Sequence, residues 1–165
     1  MRRRLLMGLA ALLAVLILLP VNMRADDPAP LPDFQVLDLS GTTVHSADIV
    51  RHGKWLLVYV RAGGGPSTGL LKTLELDRFV DASTSTTIIV GGIPAEKLGD
   101  FAGRFPLLAS ATWYADPMGK VMQPLDLHGA PMTIGMSDNK MSWSLAGVLR
   151  DDQRMQSVVM TWIMK

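Results

Sequence analysis

The chain of 165 residues contains no cysteine. That one absence removes thiol nucleophiles, iron–sulfur clusters and thiolate metal sites together, because each is built on a sulfur that the sequence does not encode. It also leaves stability to packing alone, even in a compartment where disulfides could form. Aromatic residues are sparse at 6%, and charged residues reach only 19%. Past the first four residues no Lys/Arg cluster gives the electrostatic footprint of a nucleic-acid-binding protein, so that class of partner is not expected. Carboxylates are scattered. Asp151 and Asp152 read as N-terminal residues of a last helix, where the dipole favours acids, and no paired-carboxylate site stands out.

What is plentiful is apolar, 48% of the chain, and the excess sits at the N-terminus. Arg2, Arg3 and Arg4 precede an uncharged run from Leu5 to Val21, the pattern of a targeting segment. The stretch from Leu5 to Pro20 is 16 residues long, short of the roughly 20 that cross a bilayer as a helix, which favours a signal peptide over residues 1–25. Ala25 suits a cleavage site, whereas Met23 is larger than the residue preferred two positions earlier, so an uncleaved N-terminal anchor also fits. In either case the arginines would stay on the cytoplasmic side and the remainder would face outward. Taking the four arginines of this segment from the 16 basic residues leaves 12 against 15 acids, so the exported part is mildly acidic. The sequence pI near 8.1 belongs to the leader.

A Pro-rich spacer, residues 26–32, separates the leader from residues 33–165, a length suited to one domain with one core. Asp33 to Leu39 alternates apolar residues before Ser40-Gly41 and reads as a strand and turn. Trp55 to Val60 is a continuous apolar run, expected as a strand covered on both faces. A glycine-rich turn follows, then a helix through about Val80 with Leu70, Leu71 and Leu74 on one face and Ser67 or Thr68 as its cap. Thr86 to Val90 reads as a second buried strand, and Pro94 to Phe105 spaces Leu98, Phe101, Ala102 and Phe105 as a helix. Ala111 to Ala115 is a short strand. Met132 to Met136 and Met141 to Leu145 flank Ser137 to Lys140 as a hairpin. A closing helix carries Met155, Val158, Val159, Trp162 and Ile163 as one stripe. Strand and helix alternate as in a βαβ layer.

Particular stretches carry a resemblance. Leu31-Pro32-Asp33-Phe34 with Leu37-Asp38 and Gly41, then Gly53-Lys54-Trp55-Leu56-Leu57-Val58, and later Phe105-Pro106-Leu107-Leu108 with Asp116 and Gly119, and Gly129-Ala130-Pro131-Met132-Thr133, resemble motifs of TlpA-like and redoxin proteins. The resemblance implies an α/β fold: a thioredoxin-like three-layer α/β/α sandwich with a mixed central sheet and an N-terminal strand extension. It also implies that Pro131 is a cis-proline facing the active-site turn. That turn aligns with Arg61 to Thr68, and both of the family's cysteine positions are lost, to Gly65 and Thr68. Thiol-disulfide catalysis is therefore not expected.

The groove implied by the resemblance comprises Gly63, Gly64, Gly65, Pro66, Ser67, Thr68, Ala130 and Pro131, and needs no sulfur to hold an extended peptide. The expected role is a non-catalytic binding or accessory module for a protein partner in the cell envelope, with no cofactor and with membrane contact only through the N-terminal segment. A redoxin-class component acting through partner thiols or bound copper is the alternative. His128, Met132 and Met136, with Met141 nearby, form a soft donor set that would suit Cu(I), although Met132 and Met136 also have the spacing of one core face of a strand. His45 and His52 fall in early loops. A Ser67, His128 and Asp116 triad can be written from the sequence, but no nucleophile-elbow motif anchors it.

Overall fold

The apolar run from Trp55 to Val60 lies at the centre of the molecule because it has no polar face to give to water, and every one of its side chains is buried. The computed structural model describes residues 28–75, 85–148 and 152–163. Eight strands form one mixed sheet: β1 (Ala29–Pro30), β2 (Gln35–Leu37), β3 (Thr43–His45), β4 (Lys54–Arg61), β5 (Thr86–Gly91), β6 (Thr112–Asp116), β7 (Met132–Ser137) and β8 (Lys140–Ala146). Their order is β1-β8-β7-β4-β5-β6-β2-β3. β4, β5 and β6 run parallel, while β7 and β8 return antiparallel on one side and the β2–β3 hairpin is added antiparallel on the other. The hairpin is the expected N-terminal extension. Its turn is held by Asp38, whose carboxylate accepts from the Ser40 hydroxyl at 2.6 Å and from the Ser40 and Thr42 amides at 2.8 and 2.9 Å. Those bonds, the Ser40 hydroxyl first, keep the Asp38 carboxyl below its usual range. Part of the Pro-rich spacer becomes β1, at the sheet edge where proline is tolerated.

The helices are α1 (Ser46–Ile49), α2 (Gly65–Leu74), α3 (Leu98–Ala102) and α4 (Asp152–Ile163). They divide unequally. One sheet face, with Leu56, Val58, Val60, Ile88 and Val90, is covered by Leu70, Leu71 and Leu74 of α2, by Leu98 and Phe101 of α3, and by Val159 of α4. The other, with Trp55, Leu57, Tyr59, Ile89 and Ile134, meets Ile49 of the single-turn α1 and Val121, Leu125 and Leu127 of an irregular segment. The sandwich therefore has three layers, with one of them built mostly without helix.

The helix expected from Pro94 to Phe105 is broken into a 3-10 turn, Ala95–Lys97, and the five residues of α3, and a second 3-10 turn, Pro106–Leu108, follows it. Pro106 disfavours helical backbone at the residue before it, and Phe105 takes φ −127° and ψ 68°. The break lets Phe101 and Phe105 both pack on Trp113, each with ring centroids 6.3 Å away. In α4 the expected stripe is present at Val158, Val159, Trp162 and Ile163, while the side chain of Met155 lies outside the described residues. Trp162 fixes this helix: its Nε1–H donates to the Trp55 carbonyl at 3.3 Å, and its ring stands T-shaped on Trp143 at 5.9 Å. His45 lies on β3 rather than in a loop, and both His45 and His52 are exposed. The leader, residues 1–25, lies outside the described residues. No helix among the described residues is long and apolar enough to cross a membrane.

Candidate functional site

Because β4 pairs antiparallel with β7 in the register Tyr59 opposite Met132, the end of β4 and the start of β7 lie at the same end of the sheet. The glycine turn leaves from the first and Pro131 precedes the second, so the two expected halves of the groove are neighbours across one strand pair. The Ala130–Pro131 peptide bond is cis. Pro131 accepts a bond at its carbonyl from the Gly147 N–H at 2.8 Å, whereas the Ala130 backbone takes no partner among the described residues.

The turn from β4 into α2 is closed by the Gly64 N–H donating to the Arg61 carbonyl at 3.3 Å and tied to β5 by the Ala62 N–H donating to the Gly91 carbonyl at 3.0 Å. Gly63 sits at φ +77°, where a side chain would be strained. Neither Ser67 nor Thr68 caps α2. Gly64 holds the cap position without a side-chain bond, Pro66 fits the first turn, and Ser67 lies inside that turn, 2% exposed. Its hydroxyl accepts from the Arg61 N–H at 3.0 Å and so latches the helix start to the end of β4. A Cβ at Gly64 would stand 3.3 Å from the Ser67 hydroxyl and 3.4 Å from the Arg61 carbonyl, whereas one at Gly65 would meet nothing within 4 Å. Gly65 is exposed and open, at the position where the resemblance places the first cysteine.

Beneath this surface lies a pair that sequence reasoning missed. Asp116, 3% exposed, accepts from the Tyr59 hydroxyl at 3.1 Å, the Lys120 N–H at 2.9 Å and the Val121 N–H at 3.0 Å. Burial, followed by the Asp116 charge and the hydrogen bond to it, pushes the Tyr59 hydroxyl well above the ordinary tyrosine value, so it remains a donor. The carboxylate is fully engaged in tying β4, β6 and the turn after β6 together under the site. Asp116-Pro117-Met118-Gly119 does carry a local signal, an aspartate that caps the turn it begins, but nothing local points to Tyr59.

A cavity of about 640 Å³ opens beside the cis-proline. Ala130, Pro131, Met132 and His128 line it together with Ser144 and Ala146 of β8, and Gly63 to Thr68 are not among its lining residues. The candidate metal ligands do not converge. Met132 and Met136 pack with Ile134 in the apolar core, Met141 leans on the same cluster, and His128 is exposed with Asp126 3.8 Å away. Among the described residues no three His, Asp or Glu side chains gather to hold an ion. Ser67 and Asp116 are engaged with Arg61 and Tyr59, so the written triad is not assembled.

Placing cysteines at Gly65 and Thr68 tests the alignment directly. Residues three apart on a helix are surface neighbours, and a disulfide needs Cα atoms within about 7 Å. The folded Gly65→Cys/Thr68→Cys variant is expected to oxidise in a glutathione buffer, read as loss of both alkylation mass shifts. The unaltered chain is expected to leave insulin reduction by dithiothreitol at its uncatalysed rate. A folded double variant that stays reduced would show that the two positions are not the cysteine pair.

The sequence matches no family model and no curated protein. Solved structures do match. A secreted thiol-disulfide isomerase of Corynebacterium glutamicum superposes with a TM-score of 0.63 at 16% identity, over 84% of this chain and 88% of that one. A secreted disulfide oxidoreductase of Mycobacterium tuberculosis, homologous to DsbE, gives 0.62 at 13% identity over 78% and 95%. The pneumococcal exposed lipoprotein thioredoxin of Streptococcus pneumoniae gives 0.55 at 14% identity over 78% and 98%. At these identities the likeness is one of fold, and it agrees with the mixed α/β sheet described above. The chain has a thioredoxin-like fold, with no cysteine anywhere in its sequence.

Proposed function

We propose that the protein is an exported, non-catalytic binding module that holds an extended segment of an envelope protein at the sheet end formed by Gly63–Thr68 and Ala130–Pro131. The observation that carries this reading is the Ala130 backbone: it has no partner among the described residues, beside the cis-proline and one strand pair away from a turn whose Gly65 leaves open space. Backbone pairing of that kind needs neither thiol nor metal. Export is supported by the arginine-led apolar leader and by neighbours described as secreted or as an exposed lipoprotein.

Gly65→Trp tests it better than a change at Gly64, because an indole at the open position adds bulk over the turn without pressing on the Ser67 hydroxyl. Stability should stay within about 0.5 kcal/mol, as for other surface substitutions. Capture of a partner from envelope extract should fall about tenfold, or roughly 1.4 kcal/mol. Equal capture by two equally stable proteins would place the functional surface elsewhere.

A further inference from the structure

We propose that the edge of β8 from Ser142 to Ala146, which no described strand covers, together with the loop 126–131, is a strand-addition site for an extended partner segment bearing a basic residue. This rests on the binding reading above and names where the partner lies and what it carries.

On its inner side β8 is paired with β7 from Ser137 opposite Lys140 to Met132 opposite Ala146. On its outer side, among the described residues, only Lys140 and Met141 are paired, with Pro30 and Ala29 of β1. From Ser142 onward no described strand lies on that edge, and an unpaired sheet edge is a template for another strand. β1 already shows the mode of occupation. It is a short extended segment laid antiparallel on β8, held at its end by the Leu31 N–H donating to the Asn139 carbonyl at 2.7 Å.

Two cavities continue that line toward the cis-proline, one of about 130 Å³ and the other of about 640 Å³, and Asp126, Met132 and Ser144 line both. Leu125, Leu127 and Ile134 make the smaller one apolar, which suits alternate side chains of an added strand. Among the described residues Asp126 is the only carboxylate lining either cavity, and neither is lined by Lys or Arg. Held in a left-handed turn at φ 51° and 77% exposed, with His128 Nε2 3.8 Å from its carboxylate, Asp126 presents a negative charge at the shared mouth. A cation on the incoming strand is the complement.

The probe is a fluorescein-labelled peptide, Thr-Val-Lys-Val-Thr, with controls that replace Lys by Glu or the second Val by Pro, added to the full chain in detergent solution. Binding is read by anisotropy and by residue-resolved amide exchange. The Lys peptide should bind and slow exchange at 142–146, and the Pro peptide should not. Ala146→Trp, which fills the larger cavity from an exposed position, should weaken binding about tenfold or more, and Asp126→Lys should reverse the preference between the Lys and Glu peptides. No binding of the Lys peptide at about 1 mM, binding indifferent to both variants, or a dimer that protects β8 without peptide would each overturn the proposal. Slowed exchange confined to 63–68 and lost in Gly65→Trp would overturn it while leaving the glycine-turn groove standing. Protection at 142–146 that Gly65→Trp does not alter would keep β8 and remove the glycine turn from the path.

Discussion

Asp116→Ala is expected to destabilise the fold by about 3 kcal/mol. Three donors lose their acceptor: the Tyr59 hydroxyl and the amides of Lys120 and Val121. Lys120 is exposed and its amide can turn to water, but Tyr59 and Val121 are fully buried, and a stranded buried donor costs about 1–3 kcal/mol. Tyr59→Phe should cost only about 1 kcal/mol, because the carboxylate keeps both amides. The titration of Tyr59 gives a second reading. Its folded-state value is raised, so the stability it contributes is complete below the ordinary tyrosine value of about 10 and is lost as the pH climbs from there. Urea unfolding of the three proteins at neutral and alkaline pH measures both effects. The fall in stability above about pH 10 should be shallower in Tyr59→Phe. A loss below about 1 kcal/mol for Asp116→Ala would mean that the carboxylate does not anchor the turn.

Gly135→Ala should do at least as much damage. A Cβ there would stand 2.1 Å from Cε2 and Nε1 of Trp143, which faces Gly135 across the β7–β8 pair. The indole cannot easily move aside, because it is 8% exposed and has Trp162 standing on it at 5.9 Å. Overpacking of this kind costs about 1–3 kcal/mol and occasionally more, and a clash with a rigid, wedged ring belongs at about 3 kcal/mol or beyond. Two further variants separate the clash from the mere loss of glycine. Gly99→Ala, where a Cβ meets nothing within 4 Å in a helix, should be neutral or stabilising by up to about 1 kcal/mol. Trp143→Leu should recover part of the loss in the double variant, so that the two costs do not add. Thermal melts of these four variants and the unaltered chain decide it: additive losses would mean that the ring is not what Gly135 makes room for.

The sequence by itself determined much of what depends on a short window of residues. The unbroken apolar runs of β4 and β5 have no solvent face, and so could only be central strands. Leu70, Leu71 and Leu74 lie on one side of any helix that contains them, and the missing cysteines remove thiol chemistry in whatever fold the chain adopts. The Gly-Ala-Pro-Met-Thr stretch resembles a family motif closely enough to point to the cis bond before Pro131. Even inside such windows local signals misled, at the Pro94 to Phe105 helix and at the cap of α2. Ser67 has the chemistry of a helix cap, but Gly64 takes that position, and the hydroxyl goes back to Arg61 because the end of β4 passes beside it.

Only the tertiary structure decided which distant residues meet. Tyr59 and Asp116 are 57 positions apart and touch because β4 and β6 flank β5 in parallel. Gly135 is needed only because the bulged β7–β8 pairing lays Trp143 across it. The three longest helices share one sheet face, and the open cavity lies toward β8 rather than over the glycine turn. Periodicity tells a strand that it has a buried face, but it does not say which strand will lie alongside. That choice belongs to chain topology and to the closing of long loops, and no window of a dozen residues contains it.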